Sequence, residues 1–456
     1  MKTFQSLNPY TEEIFGNYPV MEEVALQNQL QEMLAAQKAW RQVSVRTRLA
    51  FLPKLAALLQ ANADNLALLA SKEMGKLLSH AKAEVLKSAT LCNYYFAEAE
   101  TLLQDKNKVL ENGTNIRLQY QPLGIVLGIF PWNFPFWQVL RSAIPTIVSG
   151  NAMLVKPAPN VPQSSLALQA ILEQCGLPKY LFQTSFLNEA QIAQLIAEPS
   201  IAAVTLTGSE KAGATVASLA AAQTKPAVLE LGGSDPLIVM PDADLEKHME
   251  QMVFSRFQNN GQSCVAAKRF LVHASIYEKF SELLIQKVSA LRLGNPLESA
   301  VDIGPQARKD LRDTLAAQVN ETLAAGATIL YQQKNIPATG YFYPPTILTN
   351  IPAGSRAFEE ELFGPVVSLY TFESTQEAID LANATKYGLG ASIYTEDKAI
   401  ANQVANALDS GMVYINQIVK SDVRIPFGGI KHSGFGRELG PEGLYAFCQV
   451  KAVWEG

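Results

Sequence analysis

From residue 123 onward, short apolar runs alternate with segments of helical periodicity, and this alternation limits the fold more than any other feature. Leu123 to Phe130, Ala152 to Val155, Ile201 to Leu206 and Ala227 to Leu231 are runs of strand length. Helix-like stretches lie between them, such as Gln163 to Cys175 and Ser209 to Ala222. Buried strands alternating with helices predict a parallel sheet of βαβ units, an α/β fold. After Gly232-Gly233 the rhythm resumes with Pro236 to Met240, a helix from about Asp244, Phe270 to Val272 and a helix from about Ile276. A second α/β domain is therefore expected, reaching to about residue 420.

Residues 22 to 105 read as helices, rich in Ala, Leu, Gln, Glu and Lys at helical spacing. Val109 to Tyr120 alternates apolar and polar residues around Asn112-Gly113, a pair favoured in type I′ hairpins. A projecting hairpin arm is expected there. The last strand-like piece, Cys448 to Trp454, is a candidate to pair with the arm of a neighbouring subunit.

The chain has 456 residues, too many for one core. Its net charge is −5, from 37 basic and 42 acidic residues, with no long basic run. Nucleic acid and anionic membrane surfaces are not expected partners. The N-terminus lacks the apolar core of a secretory signal, and the longest apolar stretches break within about a dozen residues, too short to span a bilayer. Cys92, Cys175, Cys264 and Cys448 are far apart, and only His80, His248, His273 and His432 accompany them. No metal site is expected, and free thiols fit a cytoplasmic protein.

Five segments carry chemistry. Cys264 follows Gly261-Gln262-Ser263, and Val265 to Arg269 can start a helix whose positive end would favour thiolate; a lone cysteine is also an ordinary packing residue. Glu230 sits in an apolar strand before two glycines, where burial raises a carboxyl pKa and creates a general base, or where it caps a helix or pairs with a cation. Asn133 lies among Phe130, Pro131, Trp132, Phe134, Pro135, Phe136 and Trp137, and its amide N–H suits an oxyanion; otherwise it is a turn residue. Thr207-Gly208-Ser209 follows a strand and opens a helix, a setting for pyrophosphate, although the glycine spacing is neither GxGxxG nor a Walker loop. Lys156, in Lys156-Pro157-Ala158-Pro159, ends another strand where ligands of open α/β sheets bind.

Taken together, and with Glu361 to Val366 and Pro426 to Glu438, these segments resemble the aldehyde dehydrogenase family over nearly the whole chain. The resemblance implies a Rossmann-like cofactor domain (1–108 and 124–230), an α/β catalytic domain (231–439) and a β-hairpin oligomerisation arm (109–123 and 440–456). It implies Cys264 as nucleophile, Glu230 as base, and Asn133 with the Cys264 backbone N–H as oxyanion hole. Trp132, Lys156, Gly208, Ser209, Leu231 and Glu361 are implied contacts of NAD or NADP. The implied reaction is aldehyde to carboxylate through a thioester on Cys264, in a homodimer or homotetramer.

Within the family, the short length and the stretch Lys156 to Asn160 resemble the short bacterial succinate-semialdehyde dehydrogenases. Such a substrate needs a clamp for its distal carboxylate. Arg141, about two helical turns after Asn133, and Ser421 are expected to hold it, and Trp137 to wall its apolar middle; Arg141 is alternatively a structural ion pair. NAD-preferring relatives often carry an acid three positions after the lysine. Here that position is Pro159, so NADP is expected to be tolerated and NAD is not excluded. Other substrates in play are glutarate semialdehyde and simple aliphatic aldehydes. A cysteine hydrolase using His248 or His273, and a non-catalytic binding protein, are the readings from other classes.

Overall fold

The computed structural model describes residues 3–455. Its N-terminal part is helical from Glu23 to Leu102, as the spacing predicts. The longest of these helices, α1 (Leu78–Leu102), buries Ala81, Val85, Cys92, Tyr95 and Ala99, a 3–4 residue rhythm that turns one stripe toward the core. Helix α2 (Trp137–Val148) is buried along every residue.

The first sheet takes five strands from the predicted runs: β1 (Ile125–Ile129), β2 (Ala152–Lys156), β3 (Phe182–Thr184), β4 (Ile201–Thr207) and β5 (Ala227–Glu230). They pair in the parallel order β5-β4-β1-β2-β3. The chain winds from β1 toward β3 and then resumes on the other side of β1, so the direction reverses between β1 and β4. Open α/β sheets bind ligands at the carboxyl ends of strands beside such a reversal. A two-residue strand, Gly434–Phe435, adds antiparallel to β5 and completes that edge from far along the chain.

The second sheet holds β6 (Asp235–Val239), β7 (Ala267–His273), β8 (Thr328–Gln332), β9 (Thr346–Thr349), β10 (Val366–Phe372), β11 (Gly390–Tyr394) and β12 (Met412–Ile415). Their order is β8-β9-β10-β7-β6-β11-β12, parallel except for β8. Both faces are covered. Leu237 and Val239 of β6 point into one core and Ile238 into the other, the period of two that strand geometry dictates. Among the described residues, no helix is long and apolar enough to cross a membrane.

Three expectations need correction. The hairpin forms from Lys106–Val109 and Asn115–Pro122, but only Gly113 takes positive φ (84°), with its N–H donating to the Leu110 carbonyl. The turn is therefore not type I′, which needs positive φ at both central residues. The C-terminal strand Cys448–Glu455 pairs antiparallel with Asn115–Pro122 of its own chain along its whole length, not with a neighbour's. Gly434–Phe435 falls inside the expected catalytic segment yet belongs to the first sheet.

Candidate active site

Helix α4 (Leu245–Phe257) ends seven residues before Cys264. Asn259, Asn260 and Gly261 follow with φ of 52°, 59° and 75°. Three successive left-handed residues are unfavourable, and asparagine and glycine are the types that tolerate them. Their side chains fix the turn. Asn259 Nδ2 donates to the carbonyls of Asn133 (3.0 Å) and Gln262 (2.9 Å). Asn260 Nδ2 donates to those of Gly75 (2.9 Å) and Pro305 (3.0 Å).

The expected helix after Cys264 does not form. Ala267–His273 is β7, a strand inside the second sheet that is buried nearly throughout, so no helix dipole acts on the thiol. The alanines suited a helix, but strand pairing on both sides overrides that local preference. Burial pushes the Cys264 thiol up to about 12, and the nearby Lys268 and Arg141 cations oppose that rise. Lys268 was not singled out in the sequence. Its buried Nζ donates to the carbonyls of Ser263 (2.7 Å) and Cys264 (2.5 Å) and pairs with Glu361 at 3.0 Å. One ammonium thus ties the cysteine loop to Glu361.

Asn133 meets this loop from the other side. Its Nδ2 donates to the Gln262 carbonyl at 3.2 Å, which leaves its second amide hydrogen free. Its own carbonyl accepts from Lys76 Nζ (2.9 Å) and Asn259 Nδ2 (3.0 Å). Lys76 also pairs with Glu84 at 2.6 Å, and Glu84 accepts the backbone N–H groups of Phe136 (2.8 Å) and Trp137 (2.9 Å). This buried clamp holds the 133–137 turn through backbone atoms. Asn133→Ala is therefore expected to keep the turn while losing the side-chain donor. We expect kcat to fall by about 100- to 1000-fold with little change in KM. Steady-state kinetics beside a thermal melt check this, and a large loss of melting temperature with normal residual kcat would contradict it.

Glu230 ends β5, is 2% exposed, and neither of its carboxylate oxygens has a hydrogen-bond partner. Burial drives its pKa well upward; Arg141 and Arg437 pull it down, and Glu438 pushes it up. Gly428 permits this packing, because a Cβ there would sit 2.7 Å from Glu230 Oε1. A buried carboxyl without partners has the environment of a general base.

The carboxyl ends of β2 and β4 present the expected cofactor contacts. Gly208 N–H donates to the Glu230 carbonyl (3.0 Å), and Ser209 caps helix α3 (Glu210–Ala222) by accepting from Ala212 N–H (3.3 Å). Gly213 of α3 lets Leu231 pack closely, since a Cβ there would lie 2.6 Å from the Leu231 methyls. Lys156 is half-buried with its Nζ 5.5 Å from the Phe4 ring centre, and burial lowers its pKa to about 8. Pro159 accepts from Gln5 N–H at 2.9 Å, and Trp132 packs edge-on against Phe363 at 5.8 Å. Thr207 Oγ1 and the Asn160 amide are buried polar atoms without protein partners. A helix N-terminus at the end of β4, a lysine and unmatched polar atoms at the sheet reversal fit a dinucleotide.

A family model described as the aldehyde dehydrogenase family matches residues 1–453. The chain belongs to the aldehyde dehydrogenase family. An NADP(+) succinate-semialdehyde dehydrogenase of Mycobacterium ulcerans is 46% identical over 405 residues, 88% of each chain. A probable NADP(+) succinate-semialdehyde dehydrogenase of Synechocystis is 43% identical over 449 residues, 98% of this chain and 99% of its own. The crystal structure of succinic semialdehyde dehydrogenase from Streptococcus pyogenes in complex with NADP+ superposes with a TM-score of 0.97 at 32% identity, covering 99% of both chains.

In this aldehyde dehydrogenase a cavity of about 220 Å³ reaches Cys264, and Trp137, Arg141 and Ser421 also line it. The three expected substrate contacts therefore share one cavity with Cys264. Arg141 Nε is ion-paired with Glu438, both side chains buried, so the structural ion pair is present. Lys87, His80 and Lys420 line the cavity too and were not singled out in the sequence. The hydrolase reading gains nothing from the histidines. His248 bonds Gln251 (2.7 Å), and His273 bonds Ser275 (2.8 Å) and the Glu373 carbonyl (3.2 Å). Burial and the Lys76 charge lower His80 to about 4, which makes it a weak base.

Proposed function

We propose that this chain oxidises succinate semialdehyde to succinate, with NADP as the preferred acceptor and NAD as a second one. The observation that carries the substrate is the cavity beside Cys264, which is small and lined by Lys87, Arg141, Lys420 and Ser421. Such a lining favours a short aldehyde with an anionic end. The names of the relatives support the same substrate and cofactor. The absence of an acid at Pro159 supports tolerance of a 2′-phosphate.

Deprotonated Cys264 Sγ adds to the aldehyde carbon, and the new oxyanion accepts a hydrogen bond from the free Asn133 amide N–H. The bound nicotinamide supplies the hydride acceptor. Collapse of the oxyanion leaves a thioester on Cys264. Glu230 takes a proton from water, whose oxygen attacks the thioester carbon; the C–S bond breaks and the carboxylate departs. Lys156, Ser209 and Glu361 would hold the dinucleotide, and Trp137 would wall the substrate's methylenes.

Absorbance at 340 nm tests this with succinate semialdehyde, butyraldehyde, NADP and NAD in separate cuvettes. A faster rise with succinate semialdehyde and NADP is expected. Equal rates for the two aldehydes would remove the anionic substrate. Glutarate semialdehyde is expected to overlap, because one methylene shifts specificity only about 10- to 200-fold. We further propose a homo-oligomer built through the arm, whose Val109, Val450 and Trp454 are exposed, working in the cytoplasm, where four unpaired cysteines are stable.

A further inference from the structure

We propose that Lys268 is a positioning residue: its buried ammonium holds the Glu361 carboxylate and the Cys264 peptide against each other, so that one group places both the dinucleotide and the thiol. The inference rests on Glu361 holding the dinucleotide, as proposed above.

Lys268 lies on β7, four residues after Cys264, and its side chain is 1% exposed. Its Nζ reaches back under the loop to the Ser263 and Cys264 carbonyls and meets Glu361 at 3.0 Å. Glu361 is more open, at 17%, so the carboxylate is the outer member of the pair and the ammonium the inner one. A Cβ at Gly232 would overlap Glu361 Oε2, which places this carboxylate between the cysteine loop and the segment that follows Glu230. Asp235 of β6 also acts on the ammonium. Its Oδ1 accepts from Gly390 N–H at 3.1 Å, and burial raises its pKa to about 7. Among the described residues, Glu361 is the carboxylate that forms an ion pair with Lys268.

Holding the two segments together does not require this charge. A buried ion pair is weak evidence for stability, because desolvation offsets the attraction. Arg256 already joins the same segments: its guanidinium donates to the carbonyls of Gly261 (3.3 Å), Leu362 (2.8 Å), Gly364 and Val366 (2.6 Å). Those contacts are all to backbone, whereas Lys268 reaches the Glu361 side chain. Lys268 also acts on the thiol. Burial raises the Cys264 pKa, Lys268 is the cation that opposes this most, and Glu361 adds to the rise. One ammonium thus fixes the direction of the carboxylate and shields the thiolate from its charge.

The test uses Lys268→Met and Lys268→Gln, each checked by thermal melt, with two readouts. The first is alkylation of Cys264 by iodoacetamide at pH 8 without cofactor, followed on the Cys264 peptide by mass spectrometry. It should be about 3- to 10-fold slower than in the wild type, because burial and Glu361 then raise the thiol pKa unopposed by this cation. The second is the Kd for NADP, measured by titration calorimetry in the wild type, Lys268→Met, Glu361→Gln and the double variant. Each single change should weaken binding by about 10-fold or more. The double variant should match Glu361→Gln within about twofold, because the lysine acts on the dinucleotide through the glutamate. Should Lys268→Met not fold, Lys268→Gln, which keeps a neutral donor toward the two carbonyls, takes its place in both measurements. Wild-type alkylation or wild-type NADP binding by a folded Lys268 variant, or additive losses in the double variant, overturns the inference alone. A Glu361→Gln enzyme that binds NADP as the wild type does overturns the reading of Glu361 and the inference together.

Discussion

Cys264→Ala should oxidise no aldehyde at a measurable rate, a loss of roughly 10⁵-fold or more. The loss is large because a single sulfur forms and breaks the covalent bond, and the cavity offers no second thiol; Cys92 and Cys175 are buried, and Cys448 lies in the C-terminal strand. The fold should be unaffected, since the loop is held by the asparagine turn and by Lys268 rather than by the cysteine side chain. The 340 nm assay with a folded variant checks this directly. A related result concerns pH. Because the thiol pKa is raised to about 12 in the free enzyme, the thiolate fraction grows about tenfold per pH unit below it. Inactivation of wild-type enzyme by iodoacetamide, without cofactor, should therefore accelerate steadily from pH 7 to 10. A plateau below pH 8 would show that the thiol is activated before cofactor binds.

Glu230→Gln should separate the two halves of the reaction. The glutamine keeps the shape of the site but cannot accept a proton from water. Thiohemiacetal formation and oxidation should still occur once, while thioester hydrolysis slows by about 100- to 10,000-fold. Rapid mixing should show a burst of absorbance at 340 nm equal to the enzyme concentration, then a slow line. In the wild type, the raised pKa of Glu230 leaves it largely protonated near its ordinary range, so turnover should climb as pH rises and the base form accumulates. A variant with full turnover and no burst would assign the base to another group.

The sheets were legible in the sequence because runs such as Ile201 to Leu206, with Thr205 as its one polar residue, and the wholly apolar Pro236 to Met240 match strand length. The stretch after Cys264 misled for the converse reason. Ala266, Ala267 and Lys268 are good helix formers, and only the partners on both sides of β7 decide their conformation. Cys264, Glu230 and Asn133 stood out because each is a reactive type in an unusual local setting. Lys87, Lys76, Glu84, Lys268 and Glu438 did not. On α1, Lys87 and Glu84 look like the charged face of any surface helix. Their meaning comes from Ser421, 334 positions away, and from the backbone of Phe136 and Trp137, 52 and 53 positions from Glu84. Arg141 was placed in the right cavity, but its partner Glu438 lies in a distant loop segment that local periodicity cannot connect to it.

The last stretch of chain closes the first domain. Gly434–Phe435 covers the edge of β5, Gly428 packs on Glu230, Glu438 neutralises Arg141, and Cys448–Glu455 joins the arm. During synthesis the N-terminal half therefore emerges with an open sheet edge and with the Glu230 side of the site uncovered. Contacts this remote in sequence form late in folding. A chain lacking residues 428–455 would hold Cys264 and Asn133 but would leave the β5 edge unpaired, Glu230 uncovered on the Gly428 side and Arg141 without its buried partner.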